Sequence, residues 1–182
     1  MAYRATLSAV LTAVVRVLND QRIEYALAGG LAYSALVTPR ATVDIDVLAL
    51  VPERPPAALF DGLRAALEVF IPHPGPMVFK RATIWRAVGG DRGREVMLDF
   101  ILAESEFHRS ALDRRRTVEF AGQALSLVSV EDLMLLKALA ARPQDRVDIH
   151  GIIAAYGAEL DRDYLRGWIT RLGLELDVAN SI

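Results

Sequence analysis

The run "DIDVLALV", Asp44 to Val51, constrains the chain most. Its second half has no polar alternation, which is how a strand covered on both faces reads, so this segment belongs in the middle of a sheet. Yet it opens with two aspartates two residues apart. Successive strand side chains point to opposite faces, which puts Thr42, Asp44 and Asp46 on one face and Val43, Ile45 and Val47 on the other. About 6.6 Å then separates the two aspartate Cβ atoms. At an effective dielectric of about 20, two carboxylates at that distance repel by about 2.5 kcal/mol. Water screens poorly beside a covered strand. A hard divalent cation offsets the repulsion better, since Mg²⁺ is typically held by one or two carboxylates together with substrate phosphates. The bland alternative is that both aspartates end the strand against arginines or loop amides.

The rest of the chain bounds the answer. At 182 residues and 53% hydrophobic, one domain burying about 70% of its unfolded surface is expected. A net charge of −2 gives no global basic field to draw in nucleic acid. The absence of cysteine removes disulfide, thiolate and cysteine–zinc chemistry. "LSAVLTAVVRVL" is interrupted by Arg16 and has no small-residue cleavage site after it, so it does not read as a leader. Leu7, Val10, Leu11, Val14, Val15 and Leu18 instead form one stripe of an amphipathic helix. These features point to a cytoplasmic protein with no membrane partner.

The remaining segments read as α/β (α+β). A strand "EYALA" is followed by Gly29-Gly30 opening a helix to Leu36, then by the aspartate strand. "PPAALFDGLRAALEVF" reads as a helix with prolines suited to its first turn, and "IPHPGP" as loop. "RATIWRAV" and "REVMLDFIL" flank a hairpin turn, and "RTVEF" pairs with "ALSLV" across Gly122. From Ser129 the chain is helical, with a near capping box from Ser129 to Asp132. Residues 1–128 are thus expected to form one unit and 129–182 a helical subdomain packed on it. His73, His108 and His150 lack ligand spacing. Arg109 and Arg114 to Arg116 read as a solvated strand edge, and Trp85 and Trp168 as core.

Glycine pair, thirteen intervening residues and "DIDV" resemble the nucleotidyltransferase superfamily typified by the polymerase beta palm. Arg40 and Thr42 before the first aspartate, and "KALAARPQDRVDI" with Lys137, Asp145 and Asp148, resemble the AbiEii-like toxin nucleotidyltransferases. The resemblance spans most of residues 20–150. It implies a nucleotidyltransferase fold, a mixed central sheet flanked by helices with a short helical C-terminal part. It also implies an NTP donor, a two-metal Mg²⁺ site and in-line transfer of a nucleoside monophosphate. By that resemblance Asp44, Asp46 and Asp99 are the metal ligands, and Asp99 also the base for the acceptor hydroxyl. Asp99 is the lone charge in "VMLDFIL", sharing a face with Met97 and Ile101, where an unpaired structural role would be costly; the bland alternative is that it partners a buried arginine.

Gly29 and Gly30 would let backbone amides approach the triphosphate at the positive end of a helix. The pair departs from the superfamily's Gly-Ser form, which leaves those amides and Ser34 to hold phosphate, with Arg40 and Thr42 nearby. Lys137, one of two lysines among 21 basic residues, lies beside the apolar stripe of its helix and is expected to act as a point charge on the triphosphate. Asp145 and Asp148 are weaker candidates. The implied acceptor is a tRNA end or a protein, and the implied partner an antitoxin. Transfer to an antibiotic is the competing enzyme reading, and a non-catalytic nucleotide- or partner-binding module the competing non-enzyme one.

Overall fold

A computed structural model describes residues 2–174 except 53–54, 81, 92 and 121–122. The expected turn at Gly122 lies outside the described residues. In chain order the elements are α1 (Ala2–Asp20), β1 (Glu24–Leu27), α2 (Gly29–Leu36), β2 (Asp44–Leu50), α3 (Ala57–Ala66), β3 (Val69–Pro72), β4 (Met77–Phe79) and β5 (Ala82–Asp91). There follow β6 (Arg94–Leu102), α4 (Glu106–Asp113), β7 (Arg116–Phe120), β8 (Gln123–Leu127), α5 (Val130–Ala140), α6 (Pro143–Tyr156) and α7 (Arg162–Leu172).

The strands form one mixed sheet in the order β3-β5-β6-β2-β1-β8-β7, with β4 also pairing β5. The run that opened the argument, β2, lies in its interior, antiparallel to β1 and parallel to β6. Its period of two sorts the two faces. Ile45, Val47 and Ala49 join Leu98, Phe100, Trp85 and Ala87 in a core covered by α1 and α3. Val10, Leu11, Val14, Val15 and Leu18 of the expected stripe are buried in it, with Leu7 packed against its rim. Phe60 of α3 meets Trp85 edge-on, with 5.8 Å between ring centroids. On the opposite face Ala26, Ala28 and Leu48 meet Phe107, Leu133, Ile149 and Trp168 in a second core. That core draws on α2, α4, α5, α6 and α7, so the C-terminal helices cover the face from which Asp44 and Asp46 project.

Three expectations need correction. The helix over "PPAALFDGLRAALEVF" stops at Ala66, and Val69 to Pro72 form β3 along the outer edge of β5. That edge offers free backbone hydrogen bonds to β-favouring Val69, Phe70 and Ile71, and Pro72, without a donor, is tolerated on an edge strand. Ile71 and Pro72 are therefore not loop. Val43 does not share the buried face of Ile45, because the strand begins only at Asp44, and Val43 is 55% exposed.

The third correction concerns Arg114, which is not on a solvated edge. It stacks on the Tyr164 ring, 3.9 Å from its centroid, and bridges buried Glu131 at 3.2 Å and buried Asp132 at 3.5 Å. Asp132 also accepts a hydrogen bond from Ser129 Oγ, at 2.7 Å, and one from Tyr164 at 2.6 Å, so this network ties α7 to the start of α5. A cation in a charge run is matched to its partners only by folding. Arg115 pairs with Glu24 at 3.1 Å, while Arg116 is exposed.

Candidate active site

Asp46 and Asp99 are register partners on β2 and β6, and Arg86 of β5 is the register partner of Asp99 on its other side. Residues opposite one another in a ladder project from the same face, so Asp46, Asp99 and Arg86 form one row across three strands, with Asp44 one step along β2. Asp99 faces the same way as Met97 and Ile101, as its alternation implies. Burial first, then the charges of Asp99 and Asp44, push the Asp46 carboxyl up to about 6. The repulsion argued from the strand spacing is thus present, with a third carboxylate adding to it.

Neither Asp44 nor Asp46 has an ion-pair partner among the described residues, which disfavours the bland reading of the pair. Asp99 differs: the Arg86 fork grips it, Nε to Oδ1 at 2.7 Å and Nη2 to Oδ2 at 2.6 Å. Among the described residues no three His, Asp or Glu side chains form a group that could hold a metal ion. A cation seated between Asp44 and Asp46, completed by substrate phosphates, still fits the donor chemistry, because Mg²⁺ uses such open sites in preference to all-protein cages.

The glycine pair sits where β1 passes into α2. Gly29 has φ +58°, and a Cβ there would lie 1.8 Å from Asp46 Oδ2. A Cβ on Gly30 would meet Thr42 Oγ1 at 2.5 Å and Arg40 Nη2 at 3.2 Å. The pair therefore serves two close approaches: Asp46 packs on Gly29, and the 40–42 loop packs on Gly30. A serine at position 30 would collide with the Thr42 hydroxyl, which accounts for the departure from Gly-Ser. Gly29→Ala should lower stability by about 1–3 kcal/mol through its left-handed backbone and displace the Asp46 carboxylate. Thermal melting and a transfer assay check this, and wild-type values in both would show that Asp46 does not need the contact.

The other expected residues fall into a second cluster beside the first. Lys137 is 4% exposed, and its Nζ reaches Asp148 Oδ2 at 2.5 Å and Asp145 Oδ1 at 3.5 Å. Arg40 Nη2 reaches the same Asp148 oxygen at 3.4 Å. Arg40 and Lys137 lie 5.5 and 5.6 Å from the centroid of the Tyr33 ring. Burial and the Asp148 charge raise the Tyr33 phenol above its usual range. Lys137 is therefore not a solvated helix lysine: it is held inside, between the two weaker candidates, and lines the cavity. Ser34 closes the turn before Arg40, its hydroxyl donating to the Arg40 carbonyl at 3.2 Å and accepting from the Arg40 amide at 3.4 Å. His108 is buried and lies on the cavity lining.

A cavity of about 280 Å³ opens where the two clusters meet. Gly29, Asp46, Lys137, Arg142 and Asp145 line its polar side, and Ile101, Phe107, Leu133, Leu136 and Trp168 its apolar side. The positive charges of Arg142 and Lys137 act on Asp46 across it. An arrangement of this kind can take an anion against Gly29 and the cations, a planar or apolar group against the wall, and a hard cation at the carboxylates. Arg142 is the arginine that follows Lys137 in "KALAARPQDRVDI", whereas no local signal marks Arg86 or the apolar wall. The alternation of "RATIWRAV" does place Arg86 on one face of a strand, but only the hairpin register puts it opposite Asp99.

Residues 10–171 match the model of a family described as nucleotidyl transferase AbiEii toxin, type IV TA system. No curated protein sequence matches the chain. Among solved structures, the antibiotic-resistance factor ANT(2″)-Ia, in complex with adenylyl-2″-tobramycin, is similar with a TM-score of 0.62 at 17% identity, over 88% of this chain and 95% of that one. An antigenic nucleotidyltransferase-like protein from Paracoccidioides brasiliensis gives 0.56 at 21%, over 90% and 86%. The lincosamide antibiotic adenylyltransferase LnuA, with lincomycin bound, gives 0.54 at 14%, over 79% and 94%. At these identities the likeness is one of fold.

Proposed function

The chain belongs to the AbiEii nucleotidyl transferase toxin family, and from that premise we propose that it moves a nucleoside monophosphate from an NTP onto a tRNA end or a protein, as the toxin of a toxin–antitoxin pair. It is a nucleotidyltransferase with the fold of that superfamily. The observation that carries the site assignment is the set of carboxylates on β2 and β6, of which Asp46 lines a cavity together with Lys137 and Arg142.

In this reading the triphosphate lies at the amide end of α2, where backbone N–H groups and the positive end of the helix favour an anion. Lys137 and Arg142 face it from the helical layer. Asp44 and Asp46 would hold Mg²⁺, which when bound would supply charge neutralisation for the attacking and leaving oxygens of an in-line displacement. Asp99 accepts the proton of the acceptor hydroxyl as the new O–P bond forms and the bond to pyrophosphate breaks. The apolar wall excludes water, which would otherwise compete as acceptor.

The fold likeness to two antibiotic adenylyltransferases supports the second reading, transfer to a small antibiotic. Both are tested by incubating the protein with Mg²⁺ and each α-labelled NTP in turn, offering total tRNA, total protein or an antibiotic panel. Label on RNA or protein is the expected result. Label on an antibiotic moves the assignment to resistance chemistry, and nucleotide binding without any labelled product identifies a binding module. Among the described residues no helix is long and apolar enough to cross a membrane.

A further inference from the structure

Of the three carboxylates on the β2–β6 face, one is held differently from the others. Both Asp99 oxygens are gripped by Arg86. Asp99 itself is 5% exposed, whereas the Arg86 side chain is 38% exposed, so a buried carboxylate is tied to a cation that reaches solvent. A planar guanidinium on two oxygens fixes a carboxylate in orientation as well as charge. It leaves about half of the carboxylate's lone-pair positions open. The other two aspartates have no such tether, and Arg86 also feels both of their charges.

We propose that Arg86 is a positioning residue that withholds Asp99 from the divalent cation and keeps it for the acceptor hydroxyl, leaving Asp44 and Asp46 as the only protein ligands of the metal. This rests on the transfer reading above and narrows it. The acceptor O–H proton passes to an open lone pair of Asp99, while the fork stops the carboxylate swinging across to close a three-carboxylate cage. A cage of that kind would bind the cation more tightly and lose the proton acceptor.

The test is Mn²⁺ binding to the full chain, followed by electron paramagnetic resonance of the free ion, with melting curves confirming that each variant is folded. Asp99→Asn, which removes a neighbouring charge but no ligand, should weaken Mn²⁺ binding far less than Asp46→Asn does. Arg86→Gln should bind it about tenfold tighter, because one more charge joins the ligand set, and the gain should vanish in Arg86→Gln/Asp99→Asn. Turnover of Arg86→Gln should fall about 100-fold in kcat, the scale of a lost general base, with the nucleotide KM unchanged within about twofold.

Arg86→Lys, which keeps the charge without the fork, should restore part of kcat, and it supplies the measurement if Arg86→Gln melts below the assay temperature. Loss of the Arg86 charge by itself also favours the cation, so Arg86→Lys decides: tighter Mn²⁺ binding there, with the charge kept and the fork gone, marks a freed Asp99, and unchanged binding marks a structural arginine. The inference is overturned, with the transfer reading intact, if Asp99→Asn weakens Mn²⁺ as Asp46→Asn does or if Arg86→Gln binds no tighter than wild type. If wild type takes up no Mn²⁺, or Asp44→Asn leaves its uptake unchanged, the metal-dependent reading and the inference fall together.

Discussion

Asp46→Asn should abolish transfer and yield a protein that, without divalent cation, melts higher than wild type. The folded-state carboxyl titrates at about 6 against an ordinary 3.8, so the folded protein holds this proton more tightly than the unfolded chain does. Below pH 3.8 the group is protonated in both states and nothing is lost. Between 3.8 and about 6 the unfolded chain sheds its proton first, so stability falls as pH rises, and above 6 the full penalty remains. That penalty is at most about 3 kcal/mol. Removing the charge recovers it, raising the melting temperature at pH 7.5 by up to roughly 10 °C for a chain of this size.

Mg²⁺ should raise the melting temperature of wild type and not of the variant. The loss of turnover should reach at least about 10³, since a metal contributes several kcal/mol to the transition state. Calorimetric melting from pH 4 to 8 and labelled-nucleotide transfer measure both effects. An unfolded variant, or one with near wild-type turnover, would remove Asp46 from the metal site.

Lys137→Ala should be strongly destabilising. Its ammonium lies between Asp148, 1% exposed, and Asp145, 8% exposed, with Arg40 as the other cation on Asp148. Breaking a buried pair by deleting one partner strands a buried charge and costs about 3–5 kcal/mol, roughly 10 °C of melting temperature. Nucleotide binding should weaken as well, by about 1.5–3 kcal/mol, the range for a hydrogen bond to a charged group.

The double variant Lys137→Ala/Asp148→Asn separates the two effects: it should recover much of the stability and none of the nucleotide affinity, a coupling expected only of direct partners. Lys137→Arg should restore less than half of either, because a rigid fork does not fit where a point charge is held. Chemical denaturation and nucleotide titration by calorimetry give the two numbers. If Lys137→Ala matched wild type in affinity while losing stability, the lysine would be a structural cation alone.

Local periodicity carried the parts of the molecule that depend on neighbours in the chain. The α1 stripe, the alternation in β2, the cap at Ser129 and the glycine turn before α2 each involve contacts within a few residues. Backbone geometry decides such contacts before any tertiary packing. The three aspartates were visible for the same reason: a charge in an apolar strand costs free energy wherever the strand lands, so its presence needs an account. β3 was missed because Val69 to Pro72 have a weak preference of their own, and what makes them a strand is the free edge of β5.

The sequence by itself determined that Asp44, Asp46 and Asp99 would be unusual, and that Lys137, Asp145 and Asp148 belong together in a family pattern. Only the tertiary structure decided what each of them faces. Parallel pairing of β2 with β6 put Asp99 beside Asp46, and the antiparallel hairpin of β5 with β6 brought Arg86 onto it from the far side. The packing of α5 and α6 over the sheet turned an ordinary helical lysine into a buried cation between two carboxylates. A one-residue slip in either strand pairing would send those side chains to the opposite face. Register is fixed by the summed burial of both cores and not by the charged residues, so the charge constellation follows from apolar packing elsewhere in the chain.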